Sequence, residues 1–457
     1  MLNIISNYSK KYLKKELRSI ENAFDKLWPI NRSITGNGTR ETHKILRKII
    51  PLKTYEVKSE KVFNDWKIPL EWNVKEAFIL DPKGRKIIDF KNNNLHLMGY
   101  STPFKGYLSL EDLKKYLNYV KNQPDAIPYR TSYYKRQWGF CLSYNQFKNL
   151  KKGKYYVCID STLSKGSLTL SDHYIKGKID KEIIIHAYTC HPSMANNELT
   201  GPLIAAFLAK RIKNNFLSYR FVFVPETIGA IAYLKIKEKK LNKDLLGGIV
   251  CTCLGIKNKL GYKKSKINQS PFDLNVIKTI KKEFKNIKLD VLEFNPSGSD
   301  ERQYCSLGYN FPVGCLFSLS YGKYKEYHTS KDNKEIISFL YMQKIINLIF
   351  KILANFEKEY FEKANTQIFK NKKKLTKINK KFPLCIINKG EPMFSKYKIH
   401  YGLKNQKMAD KKTLAIKWLV HYSDGTRSLK EISKMSKIES RILLGSYKEL
   451  KKHKILR

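Results

Sequence analysis

The eight cysteines include no CxxC pair, which excludes a thiolate zinc knuckle. Several stand inside apolar runs, as in YYVCID, GIVCTCLG and PVGCLF, where cysteine serves as a small hydrophobe. No window offers the roughly 18 consecutive apolar residues that span a bilayer. The first residues, MLNIISNYSKKYLKKEL, have no apolar centre of the secretory-signal kind. These absences predict a reduced, soluble, cytoplasmic protein with no membrane partner. Internal repeats are also missing. Carboxylates are scarce: 40 Asp and Glu stand against 88 Lys and Arg, a net charge of +48. That excess has two readings, a surface for polyanions or the Lys, Asn and Ile bias of an AT-rich coding sequence. Lysine spread along the whole chain favours the second. Either way, non-specific and salt-sensitive binding to polyanions is expected.

What is present is globular. Hydrophobic residues make up 42% of the chain, with 29 Tyr and 23 Phe, which excludes disorder. At 457 residues the chain is too long for one ordinary core. Residues 9–28 carry Leu13, Leu17, Ile20, Phe24 and Leu27 on one helical face. A turn at Gly36, Asn37 and Gly38 follows, with Thr39 expected to cap the next helix. These residues, 1–52, read as N-terminal helices of a core. From 53 to 170 short alternating runs are broken by DPKGRK, KNNN and STPFKG, which predicts a β-rich inserted domain. From 171 to 365 the apolar strands EIIIHAY, YRFVFVP, LGGIVCTCLG and NFPVGCLFS alternate with helical stretches at 200–213, 228–238, 272–285 and 335–357. Strand–helix alternation argues for a three-layer α/β/α core around a mainly parallel sheet. Residues 366–457 hold a charged linker, KNKKKLTKINKK at 370–381, and three amphipathic segments that resemble a winged helix. The linker predicts that this tail is separable.

Four loops could carry chemistry. TCHPSMANNELTGP, residues 189–202, places His191, Asn197 and Glu198 behind the strand EIIIHAY and before a helix. Strand-end loops of α/β folds are where sites lie. FVFVPETIGAIAYL, 221–234, ends a strand in Glu226, whose structural alternative is an acidic residue facing a helix N-terminus. EYHTSKDN, 326–333, carries His328. NPSGSDERQYCS, 295–306, carries Asp300, Glu301 and Arg302 in a turn that could equally be a solvated loop. Two histidines and several carboxylates at loop ends of one α/β unit suit a divalent metal. His186, within its strand, is expected to point into the core.

The order CHPSMANNELTG, PETIGAIAY, YHTSKD resembles the zinc aminopeptidases of the di-zinc exopeptidase type. More closely, WPINRSITGNGTRET, SYYKRQWGFCLS, CHPSMANNELTGP, PETIGAIAYL and GSDERQYCS resemble a bacterial family of proteins with an aminopeptidase-like domain, a β-rich insert and a C-terminal winged helix. The resemblance covers nearly the whole chain. It implies that His191 and His328 are the first and last metal ligands and that Glu226 is the base that activates water. Three positions depart from the exopeptidase pattern. Asn197 stands for the bridging Asp, Thr227 for a ligand Glu, and Thr252 or Cys253 for a later Asp. Two dications need those carboxylates, so one zinc per chain is implied, held by His191, His328 and a third ligand. Asp300 is the leading candidate for the third, Glu198 a weaker one, and Glu226 could be a ligand instead of a base. Asn197, Glu198, Glu301 and Arg302 are candidates for substrate binding or ligand support. Arg32, Arg40 and Trp138 either shape a pocket or join the insert to the core.

Two functions follow. One is a metal-dependent, aminopeptidase-like hydrolase of a peptide or other amide, such as an amide on a glycan precursor. The other is a decayed peptidase scaffold that binds or regulates. For the tail, docking to protein or homo-oligomerisation is favoured over nucleic acid.

Overall fold

The run EIIIHAY builds the centre of the molecule. In the strand Glu182–Tyr188 every residue is buried. Side chains alternate across a strand, so Ile183, Ile185 and Ala187 enter one hydrophobic cluster and Ile184 enters another on the opposite face. The structure, a computed structural model, describes residues 9–267, 269–320, 322–363, 379, 381–386, 390–397, 399 and 406–457.

Glu182–Tyr188 pairs in parallel with Ser218–Val224 and with Leu245–Cys251, and the latter pairs in parallel with Val313–Phe317. These four strands are the middle of an eight-stranded sheet. Leu260–Lys263 runs antiparallel to Val313–Phe317 and carries Leu289–Leu292 on its outer side. At the other edge, Ser167–Ile175 and Lys53–Lys58 add antiparallel strands. The sheet is therefore mixed, with a parallel centre.

The helices Lys10–Leu27, Thr200–Arg211, Pro271–Glu283 and Phe339–Lys363 supply one face of the core. Phe339–Lys363 is long and apolar enough to cross a membrane, yet 67% of its most apolar window is buried. The other face is covered by Ile228–Asp244 and by the insert, whose Trp72, Ile79, Phe140 and Ile159 join Val222 and Val250 in one cluster. This is the expected α/β core. The insert itself is a four-stranded antiparallel sheet in the order Lys86–Asp89, Glu71–Leu80, Lys154–Ser164, Phe104–Ser109.

Two local expectations are corrected. Lys53–Lys58, inside the expected 53–170 insert, pairs instead with the core sheet; its alternation reveals a strand but not which sheet it joins. Thr39 does not cap its helix. The helix starts at Asn37 behind Gly36, whose φ is +99°, and the Thr39 hydroxyl donates to Ser33 O at 2.5 Å. A Cβ on Gly38 would lie 1.9 Å from Asn31 O. Only glycine lets this helix start press against the loop that carries Arg32.

Most of the expected 370–381 linker lies outside the described residues. The tail folds as Gln406–Tyr422, Leu429–Ser436 and Ser440–Lys452. Among the described residues, its only β pairing is two isolated bridges, Leu384–Asp424 and Cys385–Leu456. The tail is not set apart. Phe294 and Cys305, from the core, belong to its hydrophobic cluster.

Candidate active site

Three parallel strands end on the same edge of the sheet, and each end delivers polar groups. Tyr188 is in register with Val224, so the loops that follow lie side by side. The ladder continues one step, with Thr189 N donating to Val224 O at 2.9 Å. His191 and Glu226 then face each other, with Nε2 of the histidine 3.7 Å from Oε2 of the glutamate.

His191 is held from behind. Its Nδ1 lies 2.8 Å from Glu198 Oε2, its carbonyl accepts from Arg32 Nε at 3.0 Å, and Arg32 Nε is 3.9 Å from Glu198 Oε1. Burial would lower the His191 pKa, but Cys190 and Glu198 reverse this and raise it well above the ordinary value. The Cys190 thiol is itself pushed up to about 11 by burial, so near neutrality the effective partner is Glu198.

Asn197 lies in the π-helical segment Ala195–Leu199, a distortion common at functional sites. Asp332 anchors that segment by accepting from Asn196 N at 2.6 Å and Asn197 N at 3.0 Å. Burial raises the Asp332 pKa to about 6, against those amide bonds. Thr252, one of the two positions standing for a lost carboxylate, spends its hydroxyl on Tyr188 OH at 2.5 Å. Cys253, the other, is buried, and its thiol is pushed up to about 12.

Glu226 sits at a strained corner. Thr227 has φ +65° and ψ −76°, and Ile228 N donates to Glu226 O at 2.8 Å. This is the rarer, positive-φ γ-turn, unfavourable for a β-branched residue by about 1–3 kcal/mol. Asp300 and Arg302 hold it: Thr227 N donates to Asp300 Oδ1 at 2.7 Å, and Arg302 Nη2 donates to Thr227 Oγ1 at 2.7 Å. Ser299 donates to Glu226 Oε1 at 3.2 Å. Burial raises the Glu226 pKa; His191 opposes and Asp300 adds to the rise.

His328, with φ +57°, stacks on Tyr327 at a centroid distance of 3.9 Å and lies 5.5 Å from the His191 ring. Burial, with His191 and Arg130 adding, lowers its pKa to about 3. Tyr129, from the insert, packs 5.3 Å from His191 and 5.2 Å from His328.

The structure thus brings His191, Glu198, Glu226 and His328 into one neighbourhood. It does not assemble His191, Asp300 and His328 as a ligand set. Among the described residues, the group of His, Cys, Asp and Glu donor atoms mutually within 4.8 Å is Cys190, His191 and Glu198. Asp300 instead accepts from His186 Nε2 at 2.7 Å, with Tyr304 OH 3.0 Å from the other nitrogen of that ring. Sequence reasoning placed both residues but could not see a pairing across 114 positions. Asp300 and Glu301 are fully buried, so the segment is not a solvated loop. Glu301 forms an ion pair with Lys263, while Arg302 lies 3.3 Å from Glu391. Arg40 ties the insert to the helices through Glu71, and Trp138 stacks on Tyr116 within the insert. Missed entirely were Tyr129, Ser299 and the anchoring role of Asp332. Only Asp332 had a signal, in its spacing behind His328.

These donors can be tested against a metal. The Cys190–His191–Glu198 group fits poorly, because Arg32 already compensates Glu198 and the thiol stays protonated. The opposite side fits better. His328 Nε2 and Asn197 Oδ1 are buried without a hydrogen-bond partner among the described residues, and His191 Nε2 faces Glu226. A carboxylate on the far nitrogen of a ligand histidine is the usual support of a metal site, and Glu198 occupies that position.

Comparison with known proteins gives the family and the fold. The model of a domain of unknown function, DUF4910, matches residues 21–359. A Clostridium acetobutylicum protein named "Putative polysaccharide biosynthesis protein with aminopeptidase-like domain" is 41% identical over 425 residues, 92% of each chain. A solved structure of a "putative peptidase" from the same organism is 37% identical, covers 98% of both chains and has a TM-score of 0.73. A zinc aminopeptidase from Bacillus subtilis, 11% identical, shares the fold at a TM-score of 0.54 over 75% of this chain and 94% of its own.

Proposed function

The chain belongs to the DUF4910 family and has an aminopeptidase-like fold, and from that premise we propose that it is a metal-dependent hydrolase of an amide bond. The observation that carries this is the meeting of His191 Nε2 with Glu226 Oε2 at 3.7 Å, beside a buried His328 Nε2 that lacks a protein partner among the described residues. His191, His328 and Asn197 Oδ1 would hold one zinc ion, which when bound supplies a water activated near neutral pH. With Asn197, Thr227 and either Thr252 or Cys253 at positions where the exopeptidase pattern has carboxylates, the charge for a second dication is missing.

Glu226 acts as the base. Ser299 occupies Oε1, leaving Oε2 to take the proton of the attacking water and return it to the leaving nitrogen. A carboxyl raised by burial is better matched to that task near neutrality. Tyr129 closes the histidine side of the site and limits entry of bulk water. The relative's polysaccharide-biosynthesis name supports an amide on a glycan precursor or a short peptide as substrate.

Elemental analysis of protein purified without added metal should find one zinc per chain; two, or none after gentle purification, would contradict the reading. Glu226→Gln should keep the metal and lose turnover on an amide library. Loss of metal from that variant would make Glu226 a ligand and vacate the role of base.

A further inference from the structure

The tail reaches the active site. A cavity of about 240 Å³ opens beside Glu226, and its walls come from three parts of the chain. The core gives Glu226 and Arg302, the insert gives Trp66, Tyr133 and Tyr134, and the tail gives Glu391 and Lys417. The docking is specific. Trp66 Nε1 donates to Glu391 O at 2.6 Å, Met393 N donates to Asp65 Oδ2 at 2.9 Å, and His421 Nε2 lies 3.2 Å from Arg302 O.

The charges of the cavity can be counted. Glu391 is paired with Arg302 at 3.3 Å and accepts from Gln303 Nε2 at 3.0 Å, so those two side chains cancel. Lys417 makes no ion pair among the described residues; burial and Arg302 lower its pKa, and Glu391 and Glu226 oppose the fall. Glu226 is assigned to the reaction. One cation is left over, between aromatic walls. A free ammonium, the group that a peptide N-terminus offers, would meet the unpaired Lys417 there and be repelled. A dianion such as a phosphate ester would bring two charges to one unpaired cation. A single carboxylate attached to a small apolar group matches the charge, the walls and the volume.

We propose that Lys417 determines specificity by binding a carboxylate that the amide substrate carries next to its scissile bond, so that the chain acts on N-acylated amino acids or similar acids and not on free peptide N-termini. The bond that is cut and the setting aside of Glu226 rest on the proposed function above; the binding measurement that follows does not.

Calorimetry with 3-phenylpropanoate and its neutral counterpart 3-phenylpropan-1-ol tests the site without turnover. The full-length wild type should bind the acid at least about tenfold more tightly, the worth of one hydrogen bond to a charged group. Lys417→Met should abolish the preference while circular dichroism stays unchanged, and Lys417→Arg should keep it. Equal binding of the two probes, no binding of either at millimolar concentration, or a preference that survives Lys417→Met would overturn the proposal. A lost preference in Lys417→Met together with an unfolded spectrum is decided by Lys417→Arg, which must retain the preference or the proposal falls. Acid selectivity without hydrolysis of any amide would sink the hydrolase reading alone. Hydrolysis of neutral amides with no acid selectivity would sink this one alone.

Discussion

Glu198 Oε2 lies 2.8 Å from His191 Nδ1, seven residues earlier in the chain, and this contact fixes which nitrogen of His191 is left for chemistry. With Nδ1 committed to the carboxylate, Nε2 is the nitrogen that faces Glu226, and a metal would bind there in place of the second proton that the raised pKa otherwise keeps on the ring. Replacing Glu198 with Gln keeps the shape and removes the charge. Zinc affinity should fall about 10- to 100-fold, the usual effect of losing a carboxylate behind a ligand histidine. Competition with a chromogenic chelator measures it; an unchanged affinity would mean that Glu198 is only a structural partner of Arg32.

Arg32 is buried at 1% exposure and binds two carbonyls, His191 O through Nε and Leu27 O through Nη1 at 2.6 Å. It is also the counter-charge of Glu198. Arg32→Met would leave the buried Glu198 with His191 as its one charged partner here and two carbonyls without their donor; losing a buried charge partner costs about 3–5 kcal/mol. Arg32→Lys keeps the charge but not the planar fork that reaches both carbonyls, so it should be less destabilised. Urea unfolding should rank wild type, Lys, then Met; equal midpoints for the two variants would show that the charge is immaterial.

Acid stability depends on His43. Its ring nitrogens lie 2.7 Å from Ser171 Oγ and 2.9 Å from Thr189 Oγ1, and burial, aided by Arg47, lowers its pKa to about 3. The unfolded chain takes up this proton below about pH 6.5; the folded chain does not until about pH 3. Stability from this group is therefore lost as the pH falls through that window, by up to about 1.4 kcal/mol per pH unit. Asp332, raised to about 6, acts in the opposite sense, because its folded form gains a proton first. Comparing His43→Gln with wild type at pH 7.5 and 4.5 isolates the histidine. The variant should lose less stability on acidification; parallel losses would rule His43 out.

The positions of the site residues were legible because strand ends are legible. EIIIHAY and YRFVFVP are mostly apolar runs and buried along their length, so His191 and Glu226 emerge where they stop. What surrounds them was not. Periodicity tells which face a residue takes, not what meets it there. Asp300 was therefore read as a metal ligand, when His186 and the strained Thr227 amide claim it. Tyr129 comes from the insert and Arg32 from a loop before the second helix; neither sits in a pattern that chemistry alone would single out. The same gap explains Lys53–Lys58, a strand whose partner sheet only the folded chain reveals.

The net charge of +48 should make the protein bind duplex DNA weakly and without preference. Two unrelated duplexes should show equal affinity that vanishes as salt approaches the physiological range. A sequence preference surviving at that salt would point to a true nucleic-acid site in the tail.

Truncation after Lys363 gives the strongest test of how the tail belongs to the molecule. A charged linker suggested that it would come away cleanly. The structure argues otherwise, because Phe294 and Cys305, which bracket the loop of Ser299, Asp300 and Arg302, are buried in the tail's own hydrophobic cluster. Arg302, 7% exposed, would lose Glu391, and breaking a buried pair costs about 3–5 kcal/mol. Arg302 and Asp300 together hold the Thr227 turn that positions Glu226. Removing the tail should therefore leave the parallel strands folded and loosen the corner at Glu226. Hydrogen exchange should rise in residues 294–306 while staying slow in Glu182–Tyr188. A truncated chain with full protection of that loop would show that the tail is an appendage after all.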